Sequence, residues 1–80
     1  MLRIITLNLN GIRAAARKGF FDWLKRQEAD IVCLQELKAQ AGDMSPQFLN
    51  PGGYFGFFHY AEKKGYSGVG LYSRRQPDQI

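Results

Sequence analysis

The sequence predicts an α/β domain that opens with a parallel βαβ unit and continues into a β-hairpin. Three observations carry that expectation. Residues 2–9, LRIITLNL, and residues 31–35, IVCLQ, are short apolar runs with β-branched residues, the pattern of buried strands. The stretch between them has helical periodicity. Beyond them, residues 54–60 and 68–73 read as two more strands around a short basic tip.

The elements follow in chain order. Ile4, Ile5 and Thr6 favour extended backbone in the first strand, and Gly11 marks its end. Residues 12–18, IRAAARK, are rich in helix-forming Ala and Arg, and Gly19 closes that turn. Residues 20–28, FFDWLKRQE, resume the helix. Phe20, Trp23, Leu24 and Gln27 share one stripe, and Asp22, Lys25, Arg26 and Glu28 face water, so Phe20 and Trp23 read as core. Ala29 and Asp30 lead into the second strand. Strand, helix and strand within about 35 residues make a right-handed crossover with both strands pointing one way. Their carboxyl ends then share one edge, where open α/β sheets bind ligands.

Residues 39–53 are loop-rich. Ser45-Pro46 reads as an N-cap followed by proline at the first helical position, enough for one helical turn. Asn50-Pro51-Gly52-Gly53 is a turn cluster. The aromatic run YFGFFHY then pairs with GVGLYS as a hairpin. This leaves an edge of the hairpin unpaired and one face of the βαβ unit uncovered. An incomplete layer of that kind is expected to be the amino-terminal part, residues 1–80, of a larger single domain.

Composition narrows the class. The chain has 80 residues, 45% of them hydrophobic and 22% charged, which is globular rather than disordered. The net charge of +4 suits a polyanionic partner such as nucleic acid or an anionic membrane surface. No run reaches the ~18–20 apolar residues that span a bilayer, and the first eleven residues lack a signal-peptide pattern. The one cysteine, Cys33, lies in an apolar run, as a buried thiol in a reducing compartment would. A cytoplasmic, monomeric protein without membrane contact is expected.

The chemistry centres on Glu36. It ends the apolar run IVCLQE, and a carboxylate beside a dry core needs a compensating partner. If the two parallel strands are neighbours, Asn8 and Asn10 approach it. A carboxylate with amide oxygens is a hard-oxygen set of the kind Mg²⁺ accepts, since that ion keeps several waters and takes one or two protein carboxylates. The alternative is that Glu36 pairs with Lys38 or Arg13 while Asn8 and Asn10 serve a turn. No Cys/His spacing points to zinc. Arg13, Arg17 and Lys18 follow the Asn motif on the same edge, which fits a phosphodiester. A second cluster, EKKGYSGVGLYSR, sets Lys63 and Lys64 beside Tyr66 and Ser67 at the hairpin tip. It suits either a nucleic-acid backbone or an ordinary solvated turn. His59, within the aromatic strand, reads as structural.

Three blocks, LNLNGIRA, ADIVCLQELK and GYSGVGLYSR, closely resemble in order and spacing the amino-terminal third of the exonuclease III family of abasic-site endonucleases. The resemblance implies part of a four-layered α/β sandwich of DNase I type. It also implies a Mg²⁺-dependent (or Mn²⁺-dependent) repair nuclease acting on double-stranded DNA, 5′ to abasic sites or at 3′ ends. By position, Glu36 resembles the family's metal-binding glutamate and Asn8 its neighbouring metal-site asparagine. Asn10 falls where some members carry aspartate, so a neutral side chain there binds an ion more weakly or through water. Asn10, Arg13, Lys18, Lys38, Lys64, Tyr66 and Ser67 fall where relatives approach DNA. Relatives resembling DNase I or phosphoinositide phosphatases, and catalytically inactive nucleic-acid-binding regulators of the same fold, are the competing readings. Retention of Glu36 argues against the regulators.

The family's Asp-x-Asn, a tyrosine and a Ser-Asp-His lie downstream of the matched region. Hydrolysis needs both an activated water and charge stabilisation on the phosphate. Residues 1–80 alone are therefore expected to be inactive. An assay of purified residues 1–80 on abasic-site duplex with Mg²⁺ should show no nicking above background.

Overall fold

The computed structural model describes residues 2–61 and 68–74. Four strands form one mixed sheet: β1 (Ile4–Asn8), β2 (Ile31–Gln35), β3 (Phe55–His59) and β4 (Val69–Ser73). Their order across the sheet is β1-β2-β4-β3. β1 and β2 are parallel, with Ile4 opposite Ile31 and Asn8 opposite Gln35. β4 runs antiparallel to both β2 and β3, so the expected hairpin docks through its second strand. The βαβ start and the hairpin are thus both present.

The crossover contains α1 (Ile12–Arg17) and α2 (Phe20–Gln27), with α3 (Pro46–Leu49) later in the chain. Gly19 separates α1 from α2 at φ 94°, a left-handed backbone that glycine adopts without a Cβ penalty. Ser45 precedes α3 as expected, but its side chain makes no capping bond. Its carbonyl instead accepts from Phe48 and Leu49 at 2.9 and 3.1 Å. A 3₁₀ turn at Ala41–Asp43, closed by a reciprocal bond from Gln40 N to Asp43 Oδ2 at 2.9 Å, was not anticipated.

Side-chain alternation gives the sheet one covered and one open face. Val32, Leu34 and Tyr72 are buried on the covered face, where Leu24, Phe20 and Phe21 of α2 join them. The sequence stripe omitted Phe21 and gave Trp23 a core place. Phe21 instead stacks on Phe48 at 5.3 Å and meets Tyr72 edge-on at 6.4 Å, and Trp23 is half-buried. The buried face of α2 is thus wider than the expected stripe: Phe20 and Leu24 are buried as expected, Phe21 joins them, and Trp23 packs against the core's edge. Burial, and secondarily the charge of Tyr60, raises the pKa of Tyr72 well above its usual value, and its hydroxyl donates to the Phe48 carbonyl.

Ile4 and Val69, 54% and 50% exposed, lie on the open face with Phe55. Cys33 alternates with Val32 and Leu34, so it faces this side and is half-buried, not the fully buried thiol expected. His59 is exposed at the end of β3, not packed.

Two glycines on the covered face make room for Phe58. A Cβ at Gly70 would lie 2.6 Å from its ring, and one at Gly56 would meet the ring at 2.8 Å and overlap the Leu49 carbonyl oxygen. Gly56 is the stricter position, because backbone cannot swing aside. Gly56→Ala should cost about 2–3 kcal/mol in denaturant unfolding of the full-length protein, the upper range for overpacking. Gly42→Ala, where a Cβ meets nothing within 4 Å, should be near neutral.

Candidate metal and DNA site

The site forms where the loop after β1 lies against the loop after β2. Backbone bonds join them rung by rung: Leu9 N to Gln35 O at 3.0 Å, Gly11 N to Glu36 O at 2.9 Å and Ile12 N to Leu37 O at 2.9 Å. Arg13 Nη2 adds a fourth rung to the Lys38 carbonyl at 3.0 Å. Backbone pairing of the two segments therefore continues past the ends of both strands, with the register slipped by one residue between the Leu9 and Gly11 bonds.

This continuation distorts the backbone. Among the described residues four non-glycine residues have positive φ, and three of them are here: Asn10 at 49°, Glu36 at 53° and Lys38 at 51°. Each costs on the order of 1 kcal/mol, least for asparagine. Leu37, 0% exposed, sits between Glu36 and Lys38. Burying a leucine contributes about 1.5–3 kcal/mol, enough to offset most of that strain. The Leu37 amide also donates to Gly68 O at 3.1 Å, tying the segment to the start of β4. With Leu37 pinned inward, Glu36 and Lys38 both turn outward.

The side chains of Asn8 and Glu36 meet. Asn8 Nδ2 donates to Glu36 Oε2, while Asn8 Oδ1 accepts from Asn10 N at 2.9 Å. Lys38 Nζ donates to Asn10 Oδ1 at 2.6 Å and lies 3.8 Å from Glu36 Oε1. The Glu36 and Lys38 side chains are 36% and 39% exposed, so the cluster opens to solvent. The cation reading and the ion-pair reading of Glu36 thus meet in one cluster, with Lys38 rather than Arg13 as the ion-pair partner.

Arg13 is exposed but engaged. Besides its bond to the Lys38 carbonyl, it lies 3.7 Å from Asp43 Oδ1. Lys18 is exposed and lines an open hollow of about 410 Å³ with Asn8, Asn10, Phe20, Trp23 and Arg26. Lys64, Tyr66 and Ser67 lie outside the described residues. His59 sits three strands across the sheet from Asn8, roughly 14 Å at ordinary strand spacing, and two strands across from Gln35, roughly 10 Å. Sequence reasoning missed the Asn10–Lys38 bond and the left-handed conformation of Glu36 and Lys38. A short polar loop directly after a buried strand was the only signal for either.

A hard cation fits the donor set. Glu36 offers one carboxylate, and the oxygens of Asn8 and Asn10 each retain a further lone pair. The Lys38 ammonium already shows that a positive charge is accommodated against Glu36 Oε1 and Asn10 Oδ1. No group of three or more His, Cys, Asp or Glu side chains that could hold a metal occurs among the described residues. The set therefore suits an ion that keeps most of its water, as Mg²⁺ does.

A solvent-open oxygen cluster thus lies at the carboxyl ends of the parallel strands of a mixed sheet. The chain belongs to the Endonuclease/Exonuclease/phosphatase family, which it matches over residues 5–80. Within that family it is 44% identical over 80 residues to an exodeoxyribonuclease of Bacillus subtilis (strain 168), a match covering 99% of this chain and 31% of that relative. Among solved structures, an AP endonuclease from Archaeoglobus fulgidus aligns with a TM-score of 0.84 and 33% identity, covering 99% of this chain and 30% of that one. A 3′ phosphatase from Neisseria, solved with a product DNA hairpin, aligns at 0.80 with 26% identity, over 99% of this chain and 30% of that one. The chain spans less than a third of the length of these relatives. Its sheet and helices are part of a DNase I-like α/β sandwich.

Leu37→Ala should cost about 2–5 kcal/mol in unfolding of the full-length protein, as a fully buried leucine does. It should also loosen the outward setting of Glu36 and Lys38, read as faster amide exchange at residues 36–38 than at Val32.

Proposed function

We propose that these residues serve a Mg²⁺-dependent DNA repair nuclease that hydrolyses the phosphodiester 5′ to abasic sites, trims 3′ ends, or does both. The observation that carries the reading is the meeting of Asn8 and Glu36 at the paired ends of β1 and β2. The similarity to an exodeoxyribonuclease and an AP endonuclease supports the reaction class, and the Neisseria neighbour's DNA hairpin supports the substrate class.

Each residue has a distinct part. Glu36 would hold the cation. Asn8 fixes the carboxylate by donating to Oε2 and keeps an oxygen lone pair facing the same space. Asn10 contributes at most through water, since its side chain is neutral. The bound cation would stabilise developing charge on a phosphate oxygen. Lys18 and Lys38 supply positive charge for flanking phosphates, and Lys64, Tyr66 and Ser67 extend that contact along the backbone. Arg13 acts indirectly, because its guanidinium holds the Lys38 carbonyl and faces Asp43. The base that activates water comes from residues outside this chain.

Glu36→Gln in the full-length protein keeps the size and the Asn8 contact but removes the charge. Incision of an abasic-site duplex in Mg²⁺ should fall a hundredfold or more, about 3 kcal/mol of transition-state stabilisation, with DNA affinity within about threefold of wild type. Undiminished incision by this variant would refute the reading.

A further inference from the structure

The oxygen of Glu36 that Asn8 leaves open faces an ammonium. Lys38 Nζ lies 3.8 Å from Oε1 and donates to Asn10 Oδ1 at 2.6 Å. A divalent cation and an ammonium both seek anionic oxygen, and both cannot sit against Oε1 without strong repulsion. One must yield.

We propose that Lys38 is a displaceable counter-ion: it neutralises Glu36 while no divalent cation is bound, and turns toward a DNA phosphate once one is. This rests on the reading of Glu36 as the residue that holds the cation. The geometry suits a group made to leave. At 3.8 Å the pair is longer than a charge-assisted hydrogen bond, which runs about 2.7–2.9 Å. The shorter tie is to a neutral amide, and among the described residues no second carboxylate pairs with the ammonium. The side chain is 39% exposed, and its flexible four-carbon stem gives the charge somewhere to go.

The backbone does not follow. The Lys38 carbonyl is held by Arg13, and Leu37 beside it is buried. Displacement is therefore a rotation of one side chain about a fixed Cα. The released ammonium stays at the rim of the cluster, where it adds to the cation's pull on a phosphate. Metal and DNA binding then favour one another.

The test uses the full-length protein and two variants. Mg²⁺ is titrated calorimetrically without DNA into wild type, Lys38→Met and Glu36→Gln. Lys38→Met should bind Mg²⁺ about fivefold more tightly, the upper end of what a half-exposed ion pair contributes. A residue that merely supported the loop would weaken binding when replaced, so the direction discriminates. Unchanged or weaker Mg²⁺ affinity in Lys38→Met overturns the displacement. In Mg²⁺, a non-cleavable abasic-site duplex should bind Lys38→Met about fivefold more weakly. Equal DNA affinity overturns the second half of the proposal. Glu36→Gln separates the two ideas: if it binds Mg²⁺ as wild type does, the underlying reading of the cation site fails, whatever Lys38 does.

Discussion

Everything at the carboxyl end of the parallel pair depends on backbone pairing between the β1 and β2 segments persisting, one residue out of register, after the strands end. Two loops leaving neighbouring parallel strands ordinarily diverge. Here Leu9, Gly11 and Ile12 each donate a backbone bond to Gln35, Glu36 and Leu37 in turn. The loops are consequently held as firmly as sheet, yet they are free of the pleat that would point alternate side chains to opposite faces. The chain uses that freedom at Glu36 and Lys38, whose left-handed backbone turns both side chains outward around a buried Leu37. Gly11, at φ 102°, is the position where the first loop bends back without a Cβ penalty.

The parts of this arrangement that local pattern determines were legible in the residues. β-branched runs and helical periodicity located β1, α1, α2 and β2, and a right-handed crossover brought Asn8 and Glu36 to one edge. What was not legible depends on contacts between distant segments. Phe21 joins the core beside the expected stripe because Phe48 and Tyr72, far along the chain, shape the hole it fills, while Trp23 packs half-buried against the core. Cys33 proved half-buried because the second face of β2 lies open, which the apolar run IVCLQ does not reveal. Arg13 read as part of a basic cluster or as a partner of Glu36, and its contacts to Asp43 on the 3₁₀ turn and to the Lys38 carbonyl were not legible locally. Positive φ at a glutamate and a lysine runs against residue preference, so no propensity argument could have placed it.

The electrostatics of the cluster are those of a wet site. Glu36 and Lys38 are each more than a third exposed, and two unit charges about 4 Å apart in water attract by only about 1 kcal/mol. Attraction of that size does not by itself position a carboxylate. The positioning comes from directional bonds: Asn8 to one oxygen of Glu36, Asn10 N to Asn8, and Lys38 to Asn10. Neutral amides thus do the steering, and the charges are left weakly committed. A set of fully ionic partners would hold the same shape more tightly and exchange partners less readily.

That division explains why strain is tolerated here. A half-exposed carboxylate gains little from charge alone, so in the proposed cation-binding role Glu36 would depend on not having to be reorganised when a cation arrives. Three left-handed residues cost on the order of 3 kcal/mol together, a sum comparable to the burial of Leu37 and recovered in part by the backbone rungs. The result is a pre-set carboxylate with one oxygen bonded to Asn8 and the other facing the Lys38 ammonium. An unstrained loop of the same composition would leave Glu36 free to sample solvent, and each binding event would then bear the entropy of fixing it. The distortion is therefore best understood as ordering carried out during folding, so that it need not be repeated at the site.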